Sequence, residues 1–158
     1  MKTIIAVMTG ALMMNAYAHE VTLKVALSPA GSFEAKSDKV KGIVLKDGAK
    51  FTAENLWVKV DELKTGIDLR DEHFHKHLAS DKFPKITFTQ VTAADGKGSG
   101  TLTVDEVKKI VPFTYTMKTP TKLEVTINVK NSDFKLKEEN YMGIGVKDDV
   151  VIVAIVDV

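Results

Sequence analysis

From Val21 onward the chain alternates apolar and polar residues with a period of two, the pattern of strands that bury one face. Val21, Leu23, Val25 and Leu27 point one way, Thr22, Lys24 and Ala26 the other, and Pro29-Ala30-Gly31 ends the run as a turn. Phe33 and Ala35 start a second strand and Val40 to Leu45 forms a third. Lys46-Asp47-Gly48 follows, and its Asp-Gly pair favours a tight hairpin. In the next strand the apolar parity passes from Phe51 and Ala53 to Leu56, Val58 and Val60. That switch predicts a bulge or bend near Glu54-Asn55, with Trp57 on the opposite face. Ile86 to Val91, Leu102 with Val104, Val111 to Met117 and Leu123 to Val129 continue the alternation. A flexible turn over 95–100, a tight one at Asp105-Glu106 and a turn at Asn131-Ser132-Asp133 punctuate it. In Val150 to Val156 both parities are apolar, which predicts a strand covered on both sides.

One segment breaks the period. Residues 65–78 are polar and helix-prone, and Pro84 closes the segment before the next strand. Asp68 is placed to cap a helix with Asp71 at its third position, and Glu72 with Lys76 makes an i, i+4 pair in the favourable order. Arg70, Phe74 and Leu78 share a face, so Phe74 and Leu78 dock this short helix on the strands while Arg70 and Asp71 cap or bridge loops. His73 and His77 also share a face; His75 joins them only in an extended chain.

Residues 1–18 read as a Sec-type signal peptide: Lys2 starts it, Ile4 to Met14 is mostly apolar, and Ala16-Tyr17-Ala18 is a small-x-small cleavage pattern. The apolar run is shorter than the roughly 18 residues needed to span a bilayer and is broken by Thr9 and Gly10, so no stable membrane anchor is expected. The expected mature chain is residues 19–158, periplasmic or secreted. Lys and Arg number 22 against 21 Asp and Glu, and Lys2 is the one charged residue of the leader, which leaves the remainder balanced. The lysines are scattered among acids rather than gathered into a stripe, which argues against nucleic acid as a partner. With no cysteine, the core alone must hold the fold. A single domain of this length buries about two-thirds of the surface of its unfolded chain, enough to do so.

Roughly eight strands of about eight residues fit that length, and eight is near the number at which a closed barrel can hold one small ligand. A two-sheet sandwich uses the same alternation, and periodicity leaves both open. Enzyme signatures are absent. Gly96-Lys97-Gly98-Ser99-Gly100 has Gly98 where a nucleophile elbow needs Ser, and it leads into a strand rather than opening a helix. No cofactor motif is present, and no strained Ser accompanies the histidines, so a non-enzymatic protein is expected.

The order Thr65-Gly66, Arg70-Asp71-x-His73, Phe83-Pro84-x-Ile86-Thr87-Phe88 resembles the signature of the YceI-like family, small secreted bacterial proteins that bind polyisoprenoid and other long lipids. Gly100-Thr101-Leu102-Thr103-Val104 with Val107-Lys108-Lys109, and the ending Gly143-Ile144-Gly145-Val146-Lys147-Asp148-Asp149-Val150, are similar to the family's hairpin and closing strand. Glu106 and Ile110 depart from its usual turn Gly and its usual Pro. The resemblance implies an all-β, antiparallel, eight-stranded lipocalin-like barrel with one short helix. It also implies a carrier or sequestering role for a long-chain lipid such as a polyisoprenoid. Phe51, Phe88, Phe113, Tyr115, Met117 and Tyr141 are then candidate walls of the cavity, and Arg70, Asp71 and His73 candidate headgroup contacts at its mouth. Arg suits an anionic headgroup because its planar fork makes paired hydrogen bonds. Two alternatives stand beside this reading. One is a copper site using the free amine and imidazole of an amino-terminal His19, or His73 and His77 with His75 nearby. The other is a protein-interaction module using the outer face of Val150 to Val156. Oligomeric state is not legible.

Overall fold

A computed structural model describes residues 19–136, 140–141 and 143–158. Eight long strands follow the expected alternation: β1 (His19–Ser28), β2 (Ser32–Val40), β4 (Lys50–Lys59), β5 (Lys85–Ala94), β6 (Lys97–Val104), β7 (Val107–Thr119), β8 (Lys122–Lys130) and β10 (Ile144–Asp157). Two short ones, β3 (Leu45–Asp47) and β9 (Asn140–Tyr141), bring the described total to ten, and α1 (Asp68–His77) is the one α-helix among the described residues. All neighbours are antiparallel, in the order β2-β1-β10-β8-β7-β6-β5-β4-β3, with β9 on β10. The sheet curls strongly into a half-barrel. Its two margins are tied by paired backbone hydrogen bonds, Lys41 with Trp57 (2.8 and 3.0 Å) and Lys36 with Lys64 (2.8 and 2.9 Å).

The curl has a local cause. β4 and β5 keep one register, yet burial passes in β4 from Phe51 and Ala53 to Val58 and in β5 from Phe88 to Val91 and Ala93. The bend expected at Glu54-Asn55 is there, but the extra residue belongs to β5. Gln90 adopts φ 52°, and the β5–β6 register slips between Thr89 and Thr92. The turn before β6 is also tighter than the composition suggested. Only Asp95 and Gly96, both at positive φ, make it, and Lys97 to Gly100 are already strand. Gly98 and Gly100 are needed there because a Cβ at either would lie 2.3 Å from the Phe113 ring or 2.7 Å from the Phe88 ring.

Two further expectations are corrected. Val40 to Leu45 is not a strand: β2 ends at Val40, and Gly42 turns at φ 121°, where a Cβ would sit 2.3 Å from the Asn55 carbonyl oxygen. Ile43 and Leu45 are consequently exposed. In β10 the inward Val150, Ile152 and Val156 are buried, but the outward Val151, Val153 and Ile155 are only half-buried, shielded by neighbouring strands rather than by a second layer.

Candidate ligand channel and its mouth

Inward side chains from β1, β5, β6, β8 and β10 do not fill the barrel. Three voids of about 80, 90 and 60 Å³ remain inside, and a wider vestibule of about 320 Å³ opens beside α1. Shared walls place them end to end. The vestibule and first void share Phe33, Phe74, His77 and Val146; the first and second share Leu23, Ile86, Leu102 and Ile152; the second and third share Leu56, Phe88, Ile127, Ala154 and Val156. The interior is therefore a narrow, almost wholly apolar channel pinched by side chains. Each inner void is smaller than the roughly 150 Å³ cavity that accepts a benzene, so a tail longer than the vestibule advances only as these side chains rotate aside.

α1 forms one lip of the mouth. Its capping residue is Ile67, without a side-chain cap; Asp68 is instead the first helical residue, a correction to the expected Asp68 cap. Asp71 does the anchoring. Its carboxylate accepts hydrogen bonds from Thr65 N (2.7 Å) and Thr65 Oγ1 (2.6 Å), which ties the helix to the turn before it. Burial pushes this carboxyl up, but the two Thr65 hydrogen bonds, with attraction from Lys64 and His75, outweigh it and hold the pKa below the ordinary value. Phe74 packs edge-on against Phe33 of β2, with ring centroids 6.1 Å apart, and the Arg70 guanidinium lies over the same Phe33 ring at 5.1 Å. Among the described residues, Arg70, His73 and His77 are the ionisable ones that line the vestibule.

The YceI-like domain model matches residues 29–157. The chain belongs to the YceI-like family. Among solved structures it is similar to a polyisoprenoid binding domain from Saccharophagus degradans implicated in plant cell wall breakdown, at 16% identity and a TM-score of 0.64, covering 90% of this chain and 97% of that one. It is also similar to the Campylobacter jejuni YCEI protein, at 22% identity and a TM-score of 0.58, covering 78% of this chain and 82% of that one. At these identities the likeness is one of fold. No curated protein matches the chain significantly.

Within this YceI-like barrel the expected wall residues separate. Phe51, Phe113 and Tyr115 line the innermost void and Phe88 lines two, with Phe51 against Tyr115 at 5.6 Å and Phe88 against Phe113 at 5.8 Å. Met117 does not join them. It lies near the end of β7 beyond the reach of β6, is 45% exposed, and lines none of the described cavities. Tyr141 is placed on β9 by its backbone, and its side chain lies outside the described residues. Of the mouth residues, Arg70 and His73 face the vestibule, whereas Asp71 turns away to Thr65 and is structural. Sequence reading missed Ile67, Leu69 and Ile144 as vestibule walls and treated Phe74 as a docking residue only. Two exposed aliphatics flanking Asp68 in a polar segment were the available signal.

The structure places the residues named for a copper site apart from one another, beginning with His19. Its ring is fully buried: Nδ1 accepts from the Asp157 N–H at 3.1 Å, which leaves Nε2 to donate to the Gly42 carbonyl at 2.9 Å. Both nitrogens are engaged. His19 also begins β1, whereas Leu27 near its other end lines the vestibule, so about 26 Å of strand separates it from the vestibule that His73 and His77 line. His75 points elsewhere again, to the Leu63 carbonyl at 2.8 Å and Asp61 at 3.6 Å. Among the described residues no cluster of three or more His, Cys, Asp or Glu could hold a metal ion.

Proposed function

We propose that this YceI-like chain is a non-enzymatic carrier or sequestering protein for a long-chain lipid, with a polyisoprenoid as the preferred class. It would be exported by residues 1–18 and work in the periplasm or outside the cell. The observation that carries the reading is the end-to-end series of apolar voids leading inward from a vestibule whose ionisable lining, among the described residues, is Arg70, His73 and His77. The tail would enter along Phe33, Phe74 and Val146, and Arg70 would meet an anionic headgroup at the lip. The polyisoprenoid-binding domain with the same fold supports the choice of ligand class.

The magnitudes permit it. Burying ten to twenty tail carbons at ~0.8 kcal/mol each gives about 8–16 kcal/mol gross, against roughly 4–15 kcal/mol for association. The balance favours binding only if most of the tail gets past the first pinch. Native mass spectrometry of protein purified from its own host is the decisive experiment: an added lipid mass, released by organic extraction, is expected. Repeated recovery of empty protein, together with no uptake of farnesyl phosphate in titration, would overturn the reading.

A further inference from the structure

Ile67, Leu69 and Ile144 are 50%, 57% and 48% exposed, and all three line the vestibule. Single exposed aliphatics are ordinary on a protein surface. Here, however, three of the seven large hydrophobics exposed among the described residues surround one opening. They come from two segments: Ile67 and Leu69 flank Asp68 at the start of α1, and Ile144 opens β10. Inward of them the apolar surface continues without a break through Phe33, Phe74 and Val146 into the channel. A rim of this kind is costly in water and useful where the opening is pressed against an apolar phase.

We propose that the mouth docks on an anionic lipid surface, with Ile67, Leu69 and Ile144 entering the bilayer interface around the opening and Arg70 meeting the headgroups. The inference rests on the carrier reading and adds the partner from which the ligand is taken. Charge selects that partner over a neutral surface. Among the described residues the ionisable ones lining the vestibule are Arg70, His73 and His77, Asp68 on the same turn is outside the lining, and Asp71 is turned to Thr65. An anionic leaflet attracts the Arg70 guanidinium, and aliphatic side chains ringed by polar ones enter the interface to shallow depth. A tail would then pass from bilayer to channel without crossing water.

Vesicle flotation tests this on the mature chain free of ligand. Wild-type protein is expected to float with phosphatidylcholine–phosphatidylglycerol vesicles and much less with phosphatidylcholine alone. Combining Ile67→Ser, Leu69→Ser and Ile144→Ser should lower partitioning ~10-fold or more, while Ile110→Ser, at a position 73% exposed on the outer wall, leaves it unchanged. Should the triple variant fail to fold by circular dichroism, Leu69→Trp, corrected for Trp57, replaces it, with quenching by brominated phosphatidylcholine expected. Wild-type protein that does not float, or a folded triple variant that floats equally well, overturns the proposal. So does a concentration-dependent dimer abolished by the rim substitutions with no vesicle binding, which would make the rim a self-contact. Farnesyl phosphate titration without vesicles separates the two readings: binding without flotation sinks the docking alone, and rim-dependent flotation without binding sinks the carrier alone.

Discussion

The two halves of one curled sheet are filled in opposite ways. At the closed half Phe51 meets Tyr115 and Phe88 meets Phe113, these last two rings lying over Gly98 and Gly100, and only about 60 Å³ is left empty. At the mouth a ten-residue helix is held by side-chain contacts that include the Asp71 carboxylate on Thr65, the His75 imidazole on Leu63 and Asp61, and Phe74 and Arg70 against Phe33, beside about 320 Å³ of open vestibule. Interlocked aromatics cannot move singly, because each fills the space that its neighbour's glycine leaves. The helix can shift by exchanging a few local contacts. Rigidity is thus concentrated where the channel ends, and freedom where a ligand would enter.

The contrast can be broken most forcefully at the closed half. Phe113→Ala is expected to cost about 3–5 kcal/mol, read by urea unfolding; a loss below ~1 kcal/mol would mean that this end is not tightly packed. Asp71→Ala comes next, at about 1–3 kcal/mol at pH 7, because Thr65 N–H loses its acceptor. The Asp71 pKa is lowered by folding, so its contribution is present above the ordinary carboxylate range and fades as pH falls through the lower folded value. The gap between the thermal melts of the two proteins should therefore narrow as pH falls through and below that folded value, and a gap that stays as wide in acid as at pH 7 would contradict the assignment. Arg70→Gln should change stability by under ~0.5 kcal/mol while weakening farnesyl phosphate roughly tenfold and farnesol far less. Equal losses for the two ligands would remove Arg70 from the headgroup. Met117→Ser is expected to do least, within ~0.5 kcal/mol and with unchanged titration, since Met117 is outside the channel; a clear loss of affinity would restore it to the wall.

Strands were legible because a half-buried sheet writes its faces into the sequence at every second residue, as Leu123 to Val129 and Val111 to Tyr115 do. The limits of that signal are equally physical. Val40 to Leu45 is apolar enough to read as a strand, but Gly42 must turn at positive φ to pass the Asn55 carbonyl, a clash between distant residues that no local pattern reports. Met117 continues the parity of Tyr115, yet it lies beyond the end of β6, and only the register of the neighbouring strand reveals it. At the mouth Arg70 and His73 were named from the family resemblance, and both line the vestibule. Asp71 was legible as a capping or bridging residue, but its partner Thr65, which precedes the helix, was not, and Ile144 was missed because β10 meets α1 only through the curl of the whole sheet.

The staple at His19 also fixes an orientation. It joins the first residue of β1 to the far end of β10, and Val158 N–H bonds the Thr121 carbonyl at 2.9 Å beside it, so residues 19 and 158 both sit opposite the vestibule. A linker fused at either residue and captured on a sensor chip would hold every molecule the same way up, its entrance turned toward the flowing sample.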